Sequence, residues 1–455
     1  MLYVNEGIID RKLLEKIQQR KICIAVFGSG YVGLPTAALF ADVGFHVIAV
    51  DIKSKVVEAL KRGVSLINEP GLKELVSRNV KARRLKAILY SAETLNQADT
   101  AIISVQTPID ENRKPNLSFL TKALENVGKI LKKRMLVIIS STVPPGTMQK
   151  KVKPKLESLS GLDADTEFYL AYVPERIAPG KALKEFIESP RLVGGIGPNS
   201  TKIAAELFGT VCKEVIETDA ATAEVAKLAE NTYRDVNIAF ANQLALISEQ
   251  LGVDVIRVIE LANTHPRVNI HFPGPGVGGP CLPKDPYFLL HKFSQTDHNL
   301  IKMARLINDY MHEHILKLIV QALKNSGRDV KGSKVAVLGT AYKGDVSDSR
   351  LSPAEPIICE LKRLGAEVTV YDPNCPEDFG AKRANSLDEA IKNADCVTII
   401  TDHTVFKNLN LQEIKASMNG KPIIIDGRRI VHPHEAQNIG FTYYGIGFEQ
   451  RVTRK

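Results

Sequence analysis

Ile22-Cys-Ile-Ala-Val-Phe27-Gly28-Ser-Gly30-Tyr31-Val32-Gly33 is the stretch from which the rest of the chain is read. An apolar, β-prone run ends in a Gly-x-Gly-x-x-Gly turn. An Ala-rich helical stretch, Leu34–Val43, follows, and then a second apolar run, Phe45–Val50, that ends on Asp51. Strand, glycine turn, helix, strand and acid, in this order, describe a dinucleotide site. The glycines let the backbone turn tightly and approach a pyrophosphate. The helix start offers unbonded N–H groups and the positive end of the helix dipole. Asp51 is placed to accept hydrogen bonds from the adenosine ribose and would repel a 2′-phosphate, so NAD is expected over NADP. Lys53 and Lys55 weigh slightly the other way. Glycines also mark ordinary turns, and it is the agreement of strand, helix and acid that carries the reading.

Two further strands, Thr100–Val105 and Met135–Ser140, run into Gln106-Thr107-Pro108 and Ser141-Thr142-Val-Pro-Pro-Gly146. In a parallel sheet both loops lie at the carboxyl edge, where ligands bind; turn capping is the other role open to Thr107 and Thr142. The last third repeats the plan. Lys334–Leu338 leads into Gly339-Thr-Ala341-Tyr342-Lys343-Gly344, with Ala341 where the middle glycine stood. Gly44–Asp51 is echoed by Gly365–Asp372, and Ala98–Val105 by Ala394–Thr401. Three echoes in one order predict two Rossmann-like domains. The second suits a second nucleotide, with Lys343 in its turn and Arg350 soon after. Between them, Ala220–Leu251 contains neither Pro nor Gly and predicts one long helix with Asp219 as N-cap. Val225, Leu228, Val236, Phe240, Leu244 and Ile247 recur near helical spacing, as suits a helix that joins domains or forms a dimer core.

The expected fold is α/β: two Rossmann-like parallel-sheet domains joined by a long central helix and a helical middle domain, with boundaries at 1–215, 216–325 and 326–455. A chain of 455 residues is long enough for these cores. The longest apolar runs, Leu136–Ile139 and Ile423–Ile425, are far too short to span a bilayer. The N-terminal stretch with Glu6, Asp10, Arg11 and Lys12 has no signal-peptide core, so a cytoplasmic protein with no membrane partner is expected. The six cysteines show no CxxC spacing, which argues against a disulfide framework or a zinc site, and no metal is expected. The densest basic cluster, Lys81–Lys86, reads first as a solvated helix end, while the net charge of +9 also suits an anionic nucleotide ligand. No zinc-finger, basic-zipper or RNA-binding signature points to nucleic acid.

Pro273-Gly-Pro-Gly-Val-Gly-Gly-Pro-Cys281-Leu-Pro-Lys-Asp285-Pro is too rich in Pro and Gly for helix or strand. It presents one thiol, with Lys284 beside it and a helix expected just beyond. A cation and a helix N-terminus both lower a thiol pKa, and the thiolate is the nucleophile. A small buried cysteine in a Gly-rich turn fits these residues equally. Lys227, Asn231 and Arg234 stand four and three apart on the long helix, hence on one face. They form either a solvated face or, if that face lines a cleft, an acid–base lysine and an oxyanion donor.

Taken together, these segments resemble the UDP-glucose/UDP-N-acetylmannosamine 6-dehydrogenase family over nearly the full chain. The motifs are Gly28–Gly33, Gln106–Pro108, Ser141–Gly146, Pro174-Glu175-Arg176, Lys227–Arg234, Gly278–Asp285, Gly339–Lys343 with Arg350, and Asp426-Gly-Arg428. The resemblance implies a four-electron oxidation of a 6-hydroxymethyl group by NAD, through a thiohemiacetal and a thioester on Cys281. It implies that Lys227 and Asn231 bind the reacting oxygen, with Lys227 the acid–base group, and that Asp285 and Glu175 assist with proton and water, near Thr142. It implies cofactor contacts at Gly28, Gly30, Tyr31, Val32, Gly33, Asp51, Thr107 and Thr142. Substrate contacts are implied at Arg176, Ile177, Lys227, Asn231, Arg234, His265, Arg267, Gly278, Tyr342, Lys343, Arg350 and Arg428. Residues 326–455 would then hold the UDP-sugar, and a homodimer or larger homo-oligomer is implied.

His265-Pro-Arg267-Val-Asn-Ile-His271 and the Pro-Gly-Pro-Gly that follows resemble the N-acetylmannosamine branch, whereas the glucose branch tends to carry an aromatic residue in this loop. Val277 with flanking glycines would leave room for an N-acetyl group. UDP-N-acetyl-D-mannosamine is the expected substrate, with UDP-N-acetylglucosamine and UDP-glucose next. Other classes sharing an N-terminal Rossmann domain are a single-hydride 3-hydroxyacyl or 6-phosphogluconate-type dehydrogenase and a non-enzymatic NAD-binding protein. Two, one or no NADH per substrate separates the three. Two departures from the family pattern stand out: Pro280, where relatives usually carry His or Ser, and Asn242-Gln243, where many carry Asn-Glu.

Overall fold

A computed structural model describes residues 10–291 and 299–448. The chain divides into two compact units. Of the described residues, the first takes 10–229 with 287–291, and the second takes 230–286 with 299–448.

The first unit is built on an eight-stranded sheet. Its strands are β1 (Cys23–Phe27), β2 (His46–Asp51), β3 (Leu85–Leu89), β4 (Thr100–Ile103), β5 (Leu136–Ile139), β6 (Tyr169–Tyr172), β7 (Arg191–Gly195) and β8 (Val215–Asp219), in the order β3-β2-β1-β4-β5-β6-β7-β8. All neighbours are parallel except β6 and β7. The inner strands β1, β2, β4, β5 and β6 read as near-continuous apolar runs because both faces of the sheet are covered there. Ile24, Val26, Val47 and Ala49 face one core; Ala25, Phe27, Ile48 and Val50 face the other. Each large aliphatic side chain so buried contributes roughly 1.5–3 kcal/mol.

The second unit repeats the arrangement in six strands: β9 (Lys334–Leu338), β10 (Glu367–Tyr371), β11 (Lys382–Arg383), β12 (Cys396–Ile399), β13 (Ile423–Asp426) and β14 (Thr442–Gly445), ordered β11-β10-β9-β12-β13-β14 and parallel throughout. Val335 and Val337 enter one core, Ala336 and Leu338 the other. The echo reaches single hydrogen bonds. Asp99, before β4, accepts from Cys23 N at 2.9 Å; Asp395, before β12, accepts from Lys334 N at 2.8 Å. In each sheet the strand order reverses beside the first strand, which opens a crevice at the carboxyl edge.

The helix Ala220–Leu251 has the expected bounds. Asp219 caps it by accepting from Thr222 N at 2.9 Å, and Gly252 ends it with φ +68°, a left-handed value that glycine adopts without strain. Its apolar residues divide where one stripe was expected. Leu228, Ala241 and Ala245 are buried, whereas Val225, Phe240 and Ile247 are exposed. Among the described residues no helix is long and apolar enough to cross a membrane.

Candidate active site

In the first unit the glycine turn has the shape a pyrophosphate requires. A Cβ on Gly33 would lie 1.8 Å from Gly28 O, so only glycine lets the helix Gly33–Asp42 pack so close to its own turn. Gly30 is exposed, and nothing lies within 4 Å of where its Cβ would stand. No side chain caps the helix, and Tyr31 is exposed at its start. These residues fit NAD: Gly30 to Gly33 would hold the phosphates, and Asp51 would hold the ribose. Asp51 is half-buried and accepts from Ser29 N and Lys53 N, both at 2.9 Å, one on each oxygen, which leaves lone pairs for ribose hydroxyls.

The loops after β4 and β5 are stitched together. Thr107 Oγ1 donates to Thr142 O at 2.7 Å; Ser141 Oγ donates to Val105 O at 2.7 Å and accepts from Val105 N at 2.9 Å. Thr107 thus does more than cap a turn, since it locks the two ligand-edge loops in register. Buried Glu224 completes this edge by accepting from Gly146 N and Met148 N.

Glu175 follows β6 with its side chain only 10% exposed. Its Oε1 accepts from Arg176 N at 2.7 Å, Ile177 N at 3.0 Å and Arg191 Nη1 at 2.9 Å. Arg191 is itself buried, and its guanidinium lies 4.3 Å from the Phe186 ring centre. Burial works against the Arg191 charge, yet the Glu175 carboxylate and the Cys212 thiol raise its pKa overall. Arg191 was not legible in the sequence, because an arginine opening a strand carries no signal of its burial. Arg176 donates to Pro190 O at 2.5 Å and Ile177 packs on the first core, so both shape this loop. Lys227 is buried.

In the second unit the cysteine loop lies against the unit's own glycine turn. Gly279 N donates to Arg350 O at 2.9 Å. A Cβ on Gly278 would come within 2.5 Å of Leu351 O, and one on Gly279, where φ is +91°, within 2.7 Å of the Tyr342 ring. The glycines flanking Val277 therefore abut the protein's own atoms and, contrary to the expectation from sequence, open no space for an acetamido group. Cys281 is exposed and in no disulfide. Its carbonyl accepts from Lys284 N at 3.0 Å and Asp285 N at 2.8 Å, which closes the turn ahead of the helix Asp285–Leu290. Asp285 is fully buried; its Oδ2 accepts from Asn231 Nδ2 at 2.6 Å, and Lys284 Nζ stands 3.7 Å from its Oδ1. Cys281, Asp285 and Asn231 thus form one connected cluster.

Arg350 is gripped by Asp348, whose carboxylate accepts from its Nε at 3.0 Å and Nη2 at 2.5 Å. That hydrogen bond outweighs burial and raises the guanidinium pKa, with smaller contributions from Cys281 and Tyr342. A cation therefore stands in the field of the thiol. Arg428 donates to Ile400 O at 2.8 Å and packs beside Gly274, so it braces the cysteine loop, while Lys343 is exposed. Arg234, His265 and Arg267 are exposed too. The His265–His271 segment is pinned by Asn263, which bonds Ile270 on both sides, and by Asn237, which donates to Asn269 O at 2.8 Å and accepts from His271 N at 2.8 Å. Lys227 and Asn231 being buried rules out a solvated face at those two positions; at Arg234 the face is exposed.

Residues 22–212 match the NAD binding domain of the UDP-glucose/GDP-mannose dehydrogenase family, residues 221–310 its central domain and residues 336–433 its UDP binding domain. The UDP-N-acetyl-D-mannosamine dehydrogenase of Pyrococcus horikoshii is 42% identical over 425 residues, 93% of this chain and 99% of that protein. The enzyme of the same name from Methanocaldococcus jannaschii is 41% identical over 434 residues, covering 94% and 96%. The solved P. horikoshii structure superimposes with a TM-score of 0.88 over 94% of this chain and 99% of that one. An NDP-N-acetyl-D-galactosaminuronic acid dehydrogenase from Methanosarcina mazei superimposes with a TM-score of 0.82 at 37% identity, covering 96% and 98%. With its glycine cradle and its duplicated sheet, this chain is an NAD-dependent oxidoreductase and belongs to the UDP-glucose/GDP-mannose dehydrogenase family.

Proposed function

We propose that this protein oxidises the 6-hydroxymethyl group of UDP-N-acetyl-D-mannosamine to a carboxylate, yielding UDP-N-acetyl-D-mannosaminuronate, through covalent intermediates on Cys281. The observation that carries the reading is an exposed thiol whose turn closes onto a buried carboxylate, which in turn accepts from a buried amide on the long helix. NAD, when bound, supplies the hydride acceptor for both oxidations. Lys227 takes the alcohol proton, and Asn231, whose amide has a second N–H, donates to the reacting oxygen. The Cys281 sulfur adds to the aldehyde carbon and gives a thiohemiacetal. Loss of its carbinol hydrogen as hydride, and of its hydroxyl proton, leaves a thioester. Water attacks the thioester carbonyl, the C–S bond breaks, and the thiol returns with the carboxylate as product. Asp285, Glu175 and Thr142 are assigned to proton and water handling. Lys343, Arg350 and Arg428 are assigned to the UDP portion.

The two mannosamine relatives, matched along almost their full length, support the choice of sugar, as does the anchored and exposed His265–Arg267 turn. A panel of UDP-sugars, with NADH counted and products weighed, tests it. Two NADH per UDP-N-acetylmannosamine and the mass of the uronate are expected. A higher kcat/KM for UDP-glucose would overturn the sugar assignment, and one NADH per sugar would overturn the four-electron course. Cys281→Ser should abolish uronate release, because an alkoxide forms far less readily than a thiolate. Full turnover in that variant would sink the covalent route.

A homodimer is proposed through the long helix. Tyr233, Phe240 and Ile247 are exposed at seven-residue spacing, with Leu251 four residues on, which makes an apolar stripe that water alone does not favour. Light scattering that showed a monomer at micromolar concentration would refute it. A cytoplasmic setting is proposed because the six cysteines form no disulfide.

A further inference from the structure

Four polar side chains are buried between the helices Ala220–Leu251 and Leu300–Asn325, and the chemistry above uses none of them. They are Asp235, Asn242, Arg305 and Asn308, each no more than 3% exposed. Arg305 Nη1 donates to Asp235 Oδ1 at 2.5 Å. Asn308 Nδ2 donates to Asp235 Oδ1 and to Asp235 O, both at 2.9 Å. Asn242 Nδ2 donates to Asn308 Oδ1 at 2.9 Å, and Asn242 Oδ1 accepts from Gly274 N at 2.9 Å. Asn308 touches the cysteine loop a second time, since its carbonyl lies 3.4 Å from where a Cβ on Gly276 would stand.

The orientation of every amide follows from the charge at the far end. An ionised carboxylate only accepts, so Asn308 must turn its NH2 toward Asp235 and its oxygen toward Asn242. Asn242 must then donate to Asn308, which leaves its own oxygen facing the N–H of Gly274. We propose that Asn242 and Asn308, oriented by the Asp235–Arg305 ion pair, are positioning residues that set the register of the 273–281 loop and so the placement of Cys281. Burial pushes the Asp235 carboxyl up, against the nearby Arg305 charge, so the pair is the costly element that the two amides exploit for orientation. A loop of Pro and Gly makes few side-chain contacts of its own, so a buried bond to its backbone carries an unusual share of its placement.

This inference rests on the cysteine chemistry proposed above, and the test separates the two. In the full chain, alkylation by iodoacetamide is followed at Cys281 by peptide mass, with the exposed Cys359 as internal reference. Asn242→Ala should change the Cys281 rate at least about fivefold while Cys359 stays within about twofold, because a general loosening would move both. It should lower kcat roughly 30- to 100-fold and leave KM for the UDP-sugar within about threefold, the pattern of a misplaced reacting group. Asn308→Ala should act alike, and the double variant should lose no more than either single one, since the two amides form a single chain. An unchanged ratio of Cys281 to Cys359 rates, or losses that multiply in the double variant, would overturn the proposal. The alkylation needs no turnover, so it stands even if Cys281→Ser were to keep making uronate and the covalent reading fell.

Discussion

The two glycine turns descend from one plan, yet only the first is open. In the first, Asp51 is half-buried, engages one N–H of the turn and keeps lone pairs to spare, while the space beside Gly30 is empty. In the second, Asp372 occupies the same station but is buried. Its Oδ2 accepts from Thr340 N at 2.7 Å, Ala341 N at 2.9 Å and His403 Nε2 at 2.9 Å, and its Oδ1 accepts from Asn374 N and Cys375 N. Burial pushes this carboxyl up, but the hydrogen bonds from His403, Ala341 and Thr340 win and hold its pKa at about 2. The acid that would hold a ribose here closes the turn instead, and the methyl of Ala341, buried where Gly30 is open, finishes the closure. The outer surface of that turn supports the cysteine loop. A duplicated fold thus yields one cofactor cradle and one scaffold, and a UDP group held by the second unit would have to be held by side chains.

The largest effect should come from closing the open turn. Gly30→Val leaves the protein's own packing intact but fills the space a pyrophosphate needs, so KM for NAD should rise on the order of 100-fold with little change in melting temperature. Unchanged NAD kinetics would break the comparison at its root. Next comes the closed turn. Because the Asp372 pKa is depressed when folded, its contribution is present above the unfolded value near 3.8 and is lost as pH falls through about 2. Asp372→Asn should therefore cost roughly 2 kcal/mol in urea unfolding followed by circular dichroism at pH 7, with the gap to the parent shrinking below about pH 4. An equal gap at pH 7 and pH 3 would show that the charge is immaterial. Asp51→Asn should narrow the preference for NAD over NADP by about tenfold, as judged by the ratio of kcat/KM values; an unaltered ratio would remove Asp51 from the ribose. The smallest change is Ala341→Gly, expected to cost about 1 kcal/mol of stability through backbone freedom and a lost methyl, without touching NAD kinetics. Any gain in nucleotide binding would mean that the second turn is closed by one methyl alone.

Much of the architecture could be read from residue order. The apolar runs from Ile22 and Lys334, the 32-residue helix with its Asp219 cap, and the paired echoes at Asp51 and Asp372 all reappear as elements and registers. Local signals suffice there, because strand period, glycine turns and caps act over a few residues. The single apolar stripe on the long helix did not survive, since periodicity says which residues share a face and is silent on what covers it. The room beside Val277 failed for a related reason: a glycine without a side chain looks like space until the neighbouring backbone is placed.

Composition and order alone determined that this chain builds the same parallel sheet twice, sets a glycine turn at the head of each, and places one cysteine in a Pro-Gly loop. Those properties follow from near neighbours in sequence. Tertiary structure alone decided that Asp372 and His403 meet across 31 residues to seal the second turn. It also decided that Arg191 holds Glu175 from 16 residues away, and that Asn242 reaches Gly274 across 32. A buried polar group must find its partner wherever the fold brings one, and that partner is set by packing rather than by any local preference of the residue.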